Sequence, residues 1–265
     1  MFDWRLIIDK SLDGNTNMAL DEALLESYLQ GSIPPTLRFY KWSGDWVSIG
    51  YFQNLSREVD LQEVEWINGG VVRRPTGGRG VLHTWEITYS LVIGEDFPGL
   101  SKNVVESYKF LIQGIKLGLI NLGLSPELKP VKKMNKVGNK TAENKSTSAC
   151  FDSPSWYELL LENKKVVGSA QMRKKGAILQ HGSIKLHFEP EKVARVFGMN
   201  SPKGIKMLKQ GATGILDLSP DLDEERVLLE LKRGFEKAFL VKLNLGKYKE
   251  HELERSEILK GIKYY

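Results

Sequence analysis

The order of strand-like and helix-like segments most restricts the fold of this chain. Short runs typical of strands fall at residues 37–40, 46–49, 71–74, 81–93, 155–161, 165–171 and 178–188. Helical patterns occupy residues 15–29, 104–122, 191–197 and 223–240. Because strands and helices do not alternate one by one, this order predicts an α+β sheet domain and not a doubly wound parallel sheet.

Two turn regions divide the predicted strands. Residues 75–80, with the sequence Pro-Thr-Gly-Gly-Arg-Gly, join two strands, and their glycines supply the positive φ angles of a hairpin turn. A second hairpin is predicted around residues 162–164. If its turn centres on Asn163 and Lys164, Leu161 faces Val166 across the two strands.

A single cysteine, Cys150, excludes an internal disulfide and favours a reducing compartment. The 4 histidines are scattered without ligand-like spacing, so no structural metal is implied. No apolar run is long enough to cross a bilayer, and the first residues lack a signal-peptide core. We therefore expect a cytoplasmic protein without a membrane partner. The 265 residues fit one main domain.

The formal net charge of +5 favours an acidic partner. Positive charge is concentrated in a basic stretch at residues 129–145, which holds Lys129, Lys132, Lys133, Lys136, Lys140 and Lys145. This stretch lacks the aromatic residues that would stack on bases, so nucleic acid is not expected as a partner. It is either a solvated loop or a region that becomes ordered on an acidic partner. A basic nucleic-acid-binding protein remains the non-enzymatic alternative.

Cys150 is the leading candidate for a covalent catalyst. A free cysteine is usually a small buried hydrophobe, but Asp152, Pro154 and the preceding polar stretch indicate a loop. A thiol exposed beside lysines is a good nucleophile. The loop context therefore favours a catalytic role for this thiol.

Small residues in two predicted strands have two interpretations. Gly168, Ser169, Ala170 and Gly182 either line a narrow ligand slot or allow close packing of the sheet. The same ambiguity applies to the loop at residues 75–80, where backbone N–H groups could meet an extended ligand. His83 in the following strand is either a satisfied core histidine or a substrate contact.

The motifs Arg-Arg-Pro-Thr-Gly-Gly-Arg-Gly-Val-Leu-His at 73–83, Lys-Val-Val-Gly-Ser-Ala at 165–170 and His-Gly-Ser at 181–183 occur in this order. They resemble the lipoate and biotin protein ligase superfamily, over a core of about residues 37–240. The cysteine segment at 149–159 resembles the cysteine-dependent octanoyltransferases of the LipM type. Gly80 departs from the family, which more often has alanine there. The resemblance implies a mixed, largely antiparallel β-sheet domain flanked by helices, the catalytic fold of biotin and lipoate protein ligases. Residues 1–265 would form a single catalytic domain, with a helical segment at about 241–265.

The resemblance also implies a reaction that needs no cofactor. Octanoyl-loaded acyl carrier protein would acylate Cys150, and the group would pass to a lysine of a lipoyl domain or the glycine-cleavage H protein. Lys165 would supply the cation that activates the thiol. The implied substrate-binding residues are Arg73, Thr76, Gly77, Gly78, Arg79, His83, Gly168, Ser169, Ala170, Gln171, His181 and Gly182. Two related enzymes remain alternatives: an amidotransferase between lipoyl domains, and an ATP-dependent lipoate ligase, which needs no cysteine.

Overall fold

The computed structural model describes residues 2–130 and 157–264. In this part of the chain the strands are β1 (Phe2–Leu12), β2 (Thr36–Trp42), β3 (Trp46–Ile49), β4 (Gly70–Arg73), β5 (Val81–His83), β6 (Glu86–Gly94), β7 (Glu127–Pro130), β8 (Tyr157–Leu161), β9 (Lys164–Lys174), β10 (Ala177–Lys185) and β11 (Val241–Leu245). The helices are α1 (Gly14–Leu29), α2 (Leu55–Glu58), α3 (Leu61–Trp66), α4 (Val104–Leu111), α5 (Gln113–Asn121), α6 (Pro190–Val196), α7 (Pro202–Gly211), α8 (Ile215–Leu218), α9 (Glu224–Phe239) and α10 (Glu250–Ile262).

The main sheet contains 8 strands within the described residues, in the order β11-β1-β2-β6-β10-β9-β8-β7. β1 is parallel to β11 and to β2, whereas the pairs from β2 through to β7 are antiparallel. A tight turn joins β9 to β10, with positive φ angles of 49° at Lys175 and 88° at Gly176. The predicted α+β fold with a mixed, largely antiparallel sheet flanked by helices is therefore confirmed.

Helices α5 and α9 cover one face of this sheet and enclose the main hydrophobic core, which includes Phe39, Leu91 and Phe235. The two helices approach so closely that a Cβ atom on Gly234 would lie 2.3 Å from the carbonyl oxygen of Gly114. Helix α1 packs on the opposite face with Leu24 and its neighbours. The main sheet is thus enclosed by helices on both sides.

A small second sheet has the order β4-β3-β5 within the described residues. β3 lies between the other two strands, parallel to β4 and antiparallel to β5. The hairpin turn, one of the two interpretations of residues 75–80, is therefore not formed, because the strands that this loop joins do not pair with each other. A loop freed from a tight turn can extend over the neighbouring sheet, and it forms one side of the pocket described below.

Two further expectations need correction. The strand predicted at residues 81–93 is two strands, since β5 belongs to the small sheet and β6 to the main sheet. The chain changes sheets between His83 and Glu86, and this change brings the two side chains together. The predicted pairing of Leu161 with Val166 is also wrong. Leu161 pairs with Lys164, because the turn consists of Glu162 and Asn163, with φ angles of 49° and 62°.

The C-terminal residues form more than a helix. β11 precedes α10 and extends the main sheet beside β1. A buried ion pair fastens α10 to the N-terminal strand, with Arg5 Nη2 and Glu252 Oε1 2.6 Å apart. The two ends of the described chain are therefore parts of the same packed unit.

Candidate active site

A narrow pocket opens between the glycine loop at residues 75–80 and the facing strands β9 and β10. At its mouth, Gly78 is exposed and Ser169 is half-buried. At its other end, the lining side chains of Met18, Tyr40 and Trp42 are 1%, 1% and 6% exposed. The pocket thus opens to solvent beside Gly78 and Ser169, and its inner part is lined by buried apolar and aromatic side chains together with the buried polar side chains of Ser48, His83, Thr88 and Ser183.

Most residues predicted to bind substrate meet at this pocket. Those that line it are Gly78, Arg79, His83, Gly168, Ser169, Ala170, His181 and Gly182. The fold therefore brings three separate sequence motifs to one place, and their role in binding stays a prediction. Arg73, Thr76, Gly77 and Gln171 are not among the residues that line the pocket.

Arg74 lines the pocket where the sequence had pointed to Arg73. The alternation of β4 continues to the residue that follows it, so that Val72 and Arg74 are buried and Arg73 is exposed. The Arg74 guanidinium donates from Nη1 to the Ser48 carbonyl at 3.0 Å, and from Nη2 to the carbonyls of Gly77 at 2.8 Å and Arg79 at 2.7 Å. Arg74 therefore holds the glycine loop in place.

Arg73 stabilises a different loop. Its Nη1 donates to the carbonyl oxygens of Gly50, Tyr51 and Gln53, at 3.0, 3.0 and 2.7 Å. A Cβ atom on Gly50 would lie 2.0 Å from the carbonyl oxygen of Gly78, so this loop packs directly against the glycine loop. Arg73 thus stabilises the loop that packs against the glycine loop at the pocket mouth, and it does not face the pocket itself.

His181 connects the glycine loop to helix α1. Its Nε2 lies 2.6 Å from Thr76 Oγ1, and its Nδ1 lies 3.0 Å from Asp21 Oδ2. Burial would raise the pKa of Asp21, but the hydrogen bond with His181 and the charge of Arg38 outweigh it, and this pKa is lowered. Thr76 therefore does not line the pocket but helps to position His181, which does.

His83 is buried between a carboxylate and a hydroxyl group. Burial lowers the pKa of His83, against the opposing effect of Glu86, so the ring is neutral at pH 7. Its Nδ1 donates to Glu86 Oε1 at 2.7 Å, and its Nε2 accepts from Ser48 Oγ at 2.8 Å. Burial would also raise the pKa of Glu86, but the interaction with His83, including its hydrogen bond, and the charge and hydrogen bond of Lys185 lower it overall. His83 is thus a fully hydrogen-bonded buried histidine that also lines the pocket, and its contact with substrate stays a prediction.

The small residues of β9 and β10 allow the two backbones to approach while leaving room for the pocket. A Cβ atom on Gly182 would lie 2.5 Å from the carbonyl oxygen of Gly168. Ala170 pairs with His181 across the two strands, and both line the pocket. Gln171 instead donates from Nε2 to Gln180 Oε1 at 3.0 Å.

Lys165 lies on β9, three residues before Gly168. Its side chain is 1% exposed, and its Nζ donates to Glu158 Oε1 at 2.8 Å. The β8–β9 register shifts between Leu159 and Leu160, which leaves Val166 as an extra residue between the paired Lys165 and Val167 and indicates a bulge there. Lys165 is thus a buried, anchored amine on the strand that lines the pocket.

Cys150, the predicted nucleophile, lies outside the described residues, as does most of the basic stretch. The described chain resumes at Tyr157, next to Glu158. The 8 residue steps from Cys150 to Glu158 span at most about 29 Å when extended. Chain length therefore allows the thiol to reach Lys165.

Residues 2–130 and 157–264 contain no group of three or more His, Cys, Asp or Glu side chains that could hold a metal ion. Over the same residues, no helix is both long and apolar enough to span a membrane.

Comparison with known proteins places this chain in a family. The family model of the lipoyl protein ligase A/B catalytic domain matches residues 13–236. Octanoyltransferase LipM of Brevibacillus brevis is 40% identical to this chain, and the alignment covers 100% of this chain and 97% of that protein. Octanoyltransferase LipM of Bacillus subtilis is also 40% identical, with 96% of this chain and 91% of that protein aligned.

A solved structure shares the fold. The bipartite lipoate protein ligase of Thermoplasma acidophilum, described with its E2 lipoyl domain, has a TM-score of 0.80 and 23% identity. The superposition covers 99% of this chain and 94% of the other. The lipoate protein ligase catalytic fold that the sequence motifs implied is thereby confirmed.

Proposed function

This chain belongs to the family of lipoyl protein ligase A/B catalytic domains, and we propose that it transfers an octanoyl group through a thioester on Cys150. It is an octanoyltransferase of lipoate biosynthesis, which the 40% identity to LipM octanoyltransferases over nearly the whole chain supports. The covalent route, the donor and the acceptor are the parts that we propose.

The observation that carries the proposal is that apolar and aromatic side chains line the inner part of the pocket. These side chains, Met18, Tyr40 and Trp42, suit a hydrocarbon tail. Burial of each methylene of that tail contributes about 0.8 kcal/mol. With the tail in this inner part, the acyl carbonyl lies toward the mouth, beside the strand that carries Lys165.

In the first half of the reaction, the Cys150 thiolate attacks the donor thioester. The carbonyl carbon forms a new bond to the cysteine sulfur, and the bond to the donor sulfur breaks. At an ordinary thiol pKa near 8.5, only about 3% of the thiol is ionised at pH 7. The Lys165 amine, held by Glu158 at 2.8 Å, would raise this fraction when protonated and close to the sulfur.

In the second half, the acceptor lysine attacks the octanoyl-Cys150 thioester. An amide forms, the cysteine thiolate leaves, and the acceptor nitrogen loses a proton. We propose that backbone N–H groups near Ser169 and Ala170, or that of Cys150, stabilise the oxyanion of each step. Lys165, which is buried on the same strand, would give its proton to the departing donor thiolate in the first half and would then be able to accept the proton released here.

We propose octanoyl-loaded acyl carrier protein as the donor and a lipoyl domain, such as the glycine-cleavage H protein, as the acceptor. The net charge of +5 favours acidic partners, and the basic stretch at residues 129–145 would attract the carrier toward Cys150. We also propose a cytoplasmic location, because a reducing compartment preserves the free thiol that the reaction requires.

The test is acylation of the purified protein by octanoyl-loaded acyl carrier protein, followed by intact mass. The wild type should gain one octanoyl group and release it to an added acceptor domain. Cys150→Ala should neither gain nor transfer the group while keeping a normal thermal unfolding curve. Near-normal transfer by this variant would rule out the covalent route.

Lys165→Ala should slow acylation far more than Lys174→Ala. Lys174 is a matched control because it lies on the same strand, yet its side chain is 38% exposed and its partner, Glu26, is 3.6 Å away. The assay with an octanoyl-loaded lipoyl domain as donor separates this reaction from amidotransfer. The assay with octanoate and ATP separates it from ligation. Faster transfer from either alternative donor would contradict the proposed donor.

A further inference from the structure

Helix α7 (Pro202–Gly211) has an exposed face that is positively charged. The helix contains three lysines and no acidic residue, and its buried residues are Gly204 and Leu208. Four exposed residues, spaced i, i+3, i+4 and i+7, fall on one side of the helix. They are Lys203, Lys206, Met207 and Gln210, and we call them the basic face of α7.

Neighbouring side chains leave the charge of this face uncompensated. Among residues 2–130 and 157–264, no acidic side chain forms an ion pair with Lys203 or Lys206. The third lysine of the helix, Lys209, lies on a different side and is 2.5 Å from Glu191 of α6. Met207, between the two unpaired lysines, is 41% exposed, and methionine is enriched where proteins bind one another. The basic face of α7 thus combines an apolar contact with positive charge that is available to an acidic partner.

Helix α7 ends beside the strand that carries Lys165. Directly after the helix, Ala212 forms a parallel bridge with Lys165, and the Thr213 N–H donates to the Lys165 carbonyl oxygen at 3.0 Å. Ala212 also packs against Val81, which lines the pocket. At a rise of about 1.5 Å per residue, Lys206 lies about 9 Å from Ala212 along the helix axis. A protein bound to the basic face would therefore lie next to the pocket, at a distance that a flexible arm can cross.

We propose that the basic face of α7 docks the protein that carries the octanoyl thioester, through an acidic surface of that carrier. This inference rests on the proposed function, because it takes the donor to be a protein-bound thioester. A carrier holds its thioester on a long prosthetic arm, so it can dock beside the pocket and still deliver the acyl group to the mouth. The acceptor reacts through a lysine with only a four-carbon stem, so the acceptor domain has to sit at the mouth itself. The distance of the basic face from the pocket therefore fits the donor and not the acceptor.

The test compares the double variant Lys203→Glu, Lys206→Glu with the wild type, with octanoyl-loaded acyl carrier protein as the donor. At low salt, kcat/KM should fall about tenfold or more, because opposite charges steer the encounter. The difference should shrink as the ionic strength rises. S-Octanoyl pantetheine presents the same thioester without a protein, so the variant should use it as well as the wild type does. Met207→Ser removes an apolar contact and no charge, so it should lower kcat/KM with the carrier by a smaller factor that does not depend on salt.

The double variant Lys237→Glu, Lys242→Glu is the matched control, because it makes the same change of charge at exposed lysines of α9 and β11. β11 is an edge strand, and four strands separate it from β9 in the main sheet. The control should keep the kcat/KM of the wild type with the carrier.

Three results would overturn the inference: an unchanged kcat/KM in the α7 double variant, an equal loss in the control, or an equal loss with S-octanoyl pantetheine. A loss confined to transfer from the octanoyl-enzyme to a lipoyl domain would also overturn it, because the basic face would then dock the acceptor. Failure of the wild type to accept octanoyl from the carrier would instead overturn the proposed donor, and the inference with it.

Discussion

Replacing Arg74 by lysine should damage the enzyme far more than the same change at the adjacent Arg73. Arg74 donates from all three guanidinium nitrogens, which point toward Ser48, Gly77 and Arg79. A lysine ammonium can occupy only one of these nitrogen positions. Arg73 makes its three hydrogen bonds from Nη1 alone, so one ammonium can replace it. The pair thus tests whether the shape of the guanidinium, and not its charge, holds the glycine loop.

The expected magnitude follows from the hydrogen bonds that lysine cannot keep. If the ammonium takes the place of Nη2, the bonds from Nη1 to the Ser48 carbonyl at 3.0 Å and Ser48 Oγ at 3.2 Å are lost. Each hydrogen bond to a charged group contributes roughly 1.5–3 kcal/mol, so at the lower end of this range the loss of the two bonds lowers the free energy of unfolding by about 3 kcal/mol. That corresponds to a Tm lower by roughly 6–12 °C for a domain of this size. Arg73→Lys should cost less than about 1 kcal/mol.

Urea unfolding of the two variants and the wild type gives the free energies, and octanoyl transfer gives kcat/KM. Arg74→Lys should also lower kcat/KM at least about tenfold, because the loop that it releases forms the pocket mouth. Arg73→Lys should retain activity close to that of the wild type. Equal losses of stability and activity in the two variants would refute the reasoning.

Two further changes test the electrostatics of the site. Glu158→Gln keeps an acceptor for Lys165 Nζ but removes a negative charge, so the pKa of the Cys150 thiol should fall. The pKa is measured from the reactivity of the thiol with iodoacetamide as a function of pH. A rise in this pKa would contradict the proposed proximity of Cys150 and Lys165. Because burial lowers the pKa of His83 in the folded protein, the unfolded chain binds more protons below about pH 6.5, and stability should fall as the pH drops below that value. His83→Gln should weaken this dependence in urea unfolding between pH 7 and pH 5.5, and an unchanged slope would show that other groups cause it.

Local patterns predicted the strands and helices better than the way they pair. The segment at residues 81–93 reads as one strand because nothing in its middle is a glycine or proline. Its division between two sheets arises from tertiary packing, which places His83 on Ser48 and Glu86 in the main sheet. The first strand was not predicted, because its charged residues obscure the pattern. Arg5 is buried there only because Glu252, at the other end of the chain, pairs with it.

The motif residues of the site were predicted, whereas the inner part of the pocket was not. Arg74 could have been predicted from the alternation of buried and exposed residues that begins at Val72, because the next buried position is Arg74, directly after the strand. Trp42 carries no such signal. The orientation of its indole ring depends on Thr88 and His83, which contact it from two different sheets. Such convergence is a property of the fold and not of any single segment.

The two interpretations of the small residues in β9 and β10 describe one structural fact. Gly182 is required because the carbonyl oxygen of Gly168 occupies the place where its Cβ atom would lie, at 2.5 Å. The same absence of side chains leaves the space between these strands and the glycine loop that the pocket occupies. A substitution at Gly182 would therefore disturb both packing and binding, and it cannot separate the two roles. Trp42 lines the same pocket from β2 and does not lie between β9 and β10, so the space that the pocket occupies depends on more than these two strands.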